Sequence, residues 1–242
     1  MLLNLAYLWR VSLLALKGLP VTLGLSALSI AFSVPVGFFL AMADIYNIAY
    51  VKKLSRLYIS FARGTPIILQ ILLVYSLIPS LLNHIFTSMG SGLDIFAISP
   101  FFYAFIVFSF NTTALMAELI RSALLTVEKG QLEAALSSGL SLKQAYRRIV
   151  LPQALVAAIP NMGNASVNLI KSTSLAFLMS VRDVTAIAKI EAAASYNYIE
   201  AYLGVFAIYL VVCGLAQTAF SLAEKRLGSY KNQSIAKAGR VF

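Results

Sequence analysis

One cysteine, one histidine and nine acidic residues are all that 242 residues hold of the groups that most often carry catalysis. Cys213 has no second cysteine to pair with, so no disulfide framework can form. His84 stands alone, so no metal-ligand set can be drawn. There is no G-x-x-x-x-G-K-[ST] phosphate loop, no G-x-S-x-G elbow and no H-E-x-x-H pair. No catalytic residue is therefore assigned. The few acidic residues face nineteen Lys and Arg, giving formal net charge +10. This excess does not mark a nucleic-acid binder, because it lies in gaps between apolar runs instead of on one module with aromatics.

What the chain has in quantity is apolar residues: 60% hydrophobic against 12% charged. That balance belongs to a polytopic, all-α membrane domain covering 1–242. The apolar runs predict five spans at 19–43, 66–83, 100–126, 152–172 and 201–223. Residues 1–18, with Trp9, Arg10 and Lys17 among leucines, read as a short amphipathic helix at an interface. Ala41-Met42-Ala43 imitates a signal-peptidase site, but the run before it is about twenty-five residues, too long for a signal h-region. Pro35 predicts a kink in the first span. Residues 44–63 read as a polar loop, 180–200 as a balanced polar stretch and 224–242 as a basic tail.

Charge orients these spans. Lys52, Lys53, Arg56, Arg63, Arg121, Lys129, Lys143, Arg147, Arg148 and the five Lys and Arg after Ala223 lie on one side, fourteen of the nineteen. Arg10, Lys17, Arg182 and Lys189 lie on the other. The positive-inside rule then puts Phe242 and 127–150 in the cytoplasm and Met1 outside.

Residues 127–150 form the long polar passage between two apolar segments. Glu133, Ala134 and Ala135 are followed by Gly139, then Ile149, Leu151 and Pro152. A first helix is predicted from Val127 to Ser138, ended by Gly139 in the left-handed region. Ser141 and Gln144 form a capping box that opens a second, basic helix. Pro152 suits the first turn of the next helix.

The spacing EAA-x3-G-x9-I-x-LP closely resembles the cytoplasmic coupling loop of ATP-binding-cassette importer permeases. Phe61-Ala62-Arg63-Gly64-Thr65-Pro66 resembles the F-R-G-T-P box of the polar amino-acid branch (the histidine, glutamine, arginine and cystine type), with Ala62 extra. Ala117-Glu118-Leu119-Ile120-Arg121 resembles A-E-x-x-R, with Leu115 where an aromatic is common. Gly130-Gln131-Leu132-Glu133-Ala134-Ala135 is similar to G-Q-x-E-A-A, and Lys171-Ser172-Thr173-Ser174-Leu175 to K-D-T-S-L. The resemblance implies two ATPase subunits that bind ATP and Mg, a second permease copy or homologue, and an extracellular substrate-binding protein. It implies a bacterial inner-membrane location among lipids, and no cofactor on this chain. Gly130, Glu133, Ala134, Ala135 and Gly139 would couple to the ATPase. Ser172, in place of an acid, favours cystine or another zwitterion over a dibasic amino acid.

Asn161, Asn164, Asn168 and Lys171 recur at steps of three, four and three, on one helix face. Amides and an ammonium facing lipid would be costly, so this face predicts a bundle interior or a water-filled path; interhelical hydrogen bonding is the plainer reading. Asn111, Glu118 and Arg121 share a similar phase, and Glu118 with Arg121 reads equally as a surface pair on one helix. With Ser172, the path candidates are Asn111, Glu118, Asn161, Asn164, Asn168 and Lys171. Two rival functions remain open at this point: an intramembrane enzyme using Glu118 with His84 or Lys171, and a passive channel.

Overall fold

A computed structural model of the chain describes residues 3–90 and 94–238, so the expectations placed on Met1, Arg240 and Phe242 fall outside it. Its elements are helical. Asn4 caps α1 (Leu5–Ala15), its side chain accepting from the Tyr7 N–H at 3.0 Å. A tight turn, Leu16–Gly18, joins α1 to α2 (Leu19–Ile45), and together they make a 41-residue apolar run. At 1.5 Å per residue this rod is about 60 Å long, twice the hydrocarbon thickness. Within the expected segment 1–18, α1 is a helix of its own that leads through this turn into α2. Small side chains on one face of α1 dock it: Val11 and Ala15 are buried against Val184, Ala188, Ala192 and Ala201. This cap forms at the end of the molecule remote from 127–150.

The centre is the pair α2 and α5 (Pro100–Leu125). Ser26, Ser29, Ser33, Gly37 and Ala41 are buried along α2 at helical spacing. Their small size lets the backbones meet, as is usual between membrane helices. A Cβ on Gly37 would stand 2.9 Å from the Ala117 nitrogen. The Ser33 hydroxyl donates to the Ser109 carbonyl at 3.1 Å and accepts from the Thr113 hydroxyl at 3.0 Å.

The expected polar loop at 44–63 is instead helix α3 (Ala49–Gly64). Its charges hid a three-sided pattern. Ser55 and Ala62 are buried, and the Tyr58 hydroxyl donates to the Phe110 carbonyl on α5. Tyr50, Leu54, Leu57 and Phe61 form an exposed apolar stripe, with Lys52, Lys53 and Arg56 beside it. The helix stops at Thr65, which is extended, and restarts beyond Pro66 as α4 (Ile67–Ser88). Proline can donate no hydrogen bond and forces the residue before it out of the helical region. Gln70 repairs the break: its amide donates to the Ala62 carbonyl at 2.9 Å and the Thr65 carbonyl at 3.2 Å. Asn111, near the middle of α5, adds a bond to the Ala62 carbonyl at 3.2 Å.

After α5 come α6 (Lys129–Ser137) and the short α7 (Leu142–Ala145), which runs through a π-helical turn, Tyr146–Val150, into α8 (Leu151–Ser172). A 3-10 turn, Thr173–Met179, leads to α9 (Val184–Ser195) within the stretch read as merely polar. The last helix, α10, spans Tyr198–Ala238. Among the described residues, four segments are long and apolar enough to cross a membrane: Leu5–Ile45, Ile67–Ser88, Pro100–Leu125 and Tyr198–Leu227. α8 has 22 residues but is made less apolar by its own polar stripe.

Candidate coupling turn and transport face

The polar turn is held by local chemistry. α6 begins at Lys129, two residues later than expected, and ends where Gly139 takes φ +84°, a conformation that an added Cβ would strain. Both arms of the capping box form: the Gln144 N–H donates to the Ser141 hydroxyl and the Ser141 N–H to the Gln144 side-chain oxygen. The Leu151 N–H reaches the Tyr146 carbonyl, five residues back, and Pro152 lies in the first turn of α8. Ala135 is buried, fixing α6 to the body, whereas Gly130, Glu133, Ala134 and Gly139 are exposed on its outer side. Tyr146 packs beside Tyr46 at 6.2 Å between ring centroids, and burial pushes its phenol pKa well up. The arrangement can present a short, small-residue helix with one carboxylate to a partner.

On α8, Asn161, Asn164, Asn168 and Lys171 are all exposed, while Gly163, Ala165, Ser166 and Val167 are buried. The polar stripe therefore faces away from the chain's own bundle. Gly163 meets α10, where an added Cβ would lie 2.9 Å from the Phe220 side chain. A hydrogen bond ties the stripe to α10: Gln217 donates to the Asn164 side-chain oxygen at 3.4 Å. Lys171 and Gln217 share a cavity of about 450 Å³ with Tyr209 and Cys213. Gln217 escaped the sequence reading because it is a single amide in an apolar run. Ser172 donates to the Asn168 carbonyl at 2.9 Å, so its hydroxyl serves its own helix.

The other candidates lie elsewhere. Asn111 closes the helix break described above and is half-buried. Glu118 does not pair with Arg121 but is ion-paired with Arg63 of α3. Arg121 turns to Asp44 at 3.6 Å, which also holds Arg56 at 2.9 Å. These pairs tie the ends of α2, α3 and α5 around a polar cleft of about 290 Å³. Hence Glu118 and Lys171 are not brought together. His84 lies fourteen residues past Gln70 along α4, about 21 Å onward. Among the described residues no group of three metal-ligating side chains occurs.

Residues 33–229 match the family described as the binding-protein-dependent transport system inner membrane component. The chain belongs to that family. It is a membrane permease subunit, not an enzyme, and its family works with a binding protein and a separate ATPase. Among relatives, it is 44% identical over 216 residues to the L-cystine transport system permease protein TcyL of Bacillus subtilis (strain 168), covering 89% of this chain and 87% of that one. It is 37% identical over 212 residues to the probable amino-acid ABC transporter permease protein PatM of Vibrio harveyi, covering 88% and 91%. A solved structure, of an amino acid ABC transporter with histidines, superposes with TM-score 0.77 at 29% identity, covering 93% of this permease and all of that chain.

Proposed function

We propose that the permease carries a polar amino acid, cystine foremost, through an ATP-driven importer of the cell membrane. The observation that carries this reading is the exposed face of Asn161, Asn164, Asn168 and Lys171 on α8. Four polar groups turned to lipid would be expensive. A second permease copy set against this face encloses them as a hydrated path. α8 is then a fifth span despite its modest hydropathy, since about 33 Å of helix reaches across the core. The likeness to the cystine permease supports the substrate, as does Ser172 in place of an acid.

Fourteen basic residues put the coupling turn and the C-terminus in the cytoplasm, with the cap of α1 and α9 outside to meet the binding protein. The exposed side of α6, with Glu133, Ala134 and Gly139, docks on the ATPase, which binds ATP and Mg. Closure of the ATPase dimer then reorients the spans. The test is uptake of labelled cystine into vesicles holding the permease, its ATPase and the loaded binding protein. Uptake should require ATP, and Asn164→Leu should lower it at least tenfold while the complex still assembles. Uptake without ATP would make the chain a passive channel. Wild-type uptake by Asn164→Leu would remove the path from this face.

A further inference from the structure

A second face of α8 carries a different surface. A lateral groove of about 580 Å³ runs between α2, α5 and α8. Val34 and Phe38 wall it on one side, Leu124 on another, and Leu155 and Met162 on the third. No acidic residue lines it, and Arg147 stands at its coupling-turn end. Arg147 is exposed and makes no salt bridge among the described residues. Lys143 and Arg148 lie within about one turn of it and are exposed too.

Length and direction identify the occupant. From Leu151 to Met162 the α8 wall rises about 16 Å, half the hydrocarbon thickness. That is the depth of one acyl chain in one leaflet. At about 100° per residue, the groove lies roughly 130° around α8 from the Asn164 and Asn168 face. A copy covering the polar face therefore leaves the groove open to lipid. A guanidinium at the membrane boundary offers forked donors to a phosphate. The neighbouring Lys143 and Arg148 raise the preference for a headgroup with net negative charge.

We propose that this groove holds one anionic glycerophospholipid, its phosphate at Arg147 and an acyl chain along α8. The inference rests on the membrane reading above, and the proposed topology decides only which leaflet supplies the lipid. Trp9 is the single tryptophan, so Trp9→Phe with Leu155→Trp places one reporter in the groove. The full permease, assembled with its ATPase, is reconstituted with brominated phosphatidylglycerol or brominated phosphatidylcholine. Quenching is read as the difference from the Trp9→Phe parent. Brominated phosphatidylglycerol should quench half-maximally at an about fivefold lower mole fraction, and Arg147→Ala should abolish that preference. Equal quenching by both lipids would reduce the groove to ordinary annular contact. No quenching by either would mean that protein, such as a second copy, fills it. Should the reporter variant not assemble, lipid retained by the purified wild type and Arg147→Ala is compared by mass spectrometry. Arg147→Ala should lose at least half of the anionic lipid, and equal retention overturns the site.

Discussion

Asp183 concentrates several demands in one side chain. It is fully buried, caps α9 by accepting from the Ala186 N–H at 2.7 Å, and takes a 3.4 Å bond from Tyr209. Burial raises its pKa from 3.8 to about 6, outweighing the hydrogen bonds that favour the charged form. The folded chain therefore holds this proton more tightly than the unfolded one. Its contribution to stability is most favourable below pH 4, declines as pH rises to about 6, and stays low above that. Asp183→Asn keeps an acceptor for the cap without the charge. It should stabilise the protein at pH 7.5 by on the order of 1–3 kcal/mol, with the gain shrinking toward pH 4.5. Asp183→Ala should lose about 1 kcal/mol of capping. Thermal scans in detergent across this range decide it, and an Asn variant no more stable than wild type at pH 7.5 refutes the argument. Gly18 lies against the same residue: an added Cβ would be 2.4 Å from the Asp183 carbonyl carbon. Gly18→Ala should cost on the order of 3 kcal/mol, whereas Gly24, with nothing within 4 Å, should accept alanine with no loss. Similar melting of the two variants would contradict the close approach of α9 to the rod.

At the scale of elements, α6 and its glycine offer the sharpest test. Gly139 sits at φ +84°, which proline cannot reach. Gly139→Pro should leave the protein inserted, yet reduce stimulation of the ATPase by loaded binding protein at least tenfold, as should Glu133→Arg. Full stimulation in both would end the docking role of α6. This turn was legible in advance because its signals are local: the positive-φ glycine, the Ser141–Gln144 box and Pro152 each act within a few residues. The α3–α4 break was not legible, because it is completed by Gln70 and Asn111 from separate helices. Sequence reasoning saw Asn111 as a path residue but not its amide's bond to the Ala62 carbonyl. Glu118 was likewise set beside Arg121 by helical phase, but Arg63 comes to it from a segment not recognised as a helix. The packing of α1 was hidden for a related reason: its charged outer face was visible, and the partners of Val11 and Ala15, nearly 180 residues away, were not.

For the whole molecule, orientation and path are tested together. In a Cys213→Ser background, single cysteines at the exposed Ser138 and Ser195 report opposite sides. An impermeant external reagent should label Ser195→Cys only, and the reverse pattern inverts the topology. Lys171→Met and Lys171→Gln should slow uptake at least tenfold if the ammonium serves the path. A lysine that merely snorkels to the surface would tolerate both with near-normal uptake. The rod from Leu5 to Ile45 adds a mechanical consequence. Its first turns are gripped by α9, and at its far end Tyr46 stands beside Tyr146 in the π-helical turn that follows α7. The two ends of the permease are thus joined by one run of helix, which the Leu16–Gly18 turn and Pro35 each interrupt. A tilt of the cap would then be felt at Tyr146 through continuous backbone as well as through the side chains packed along α2.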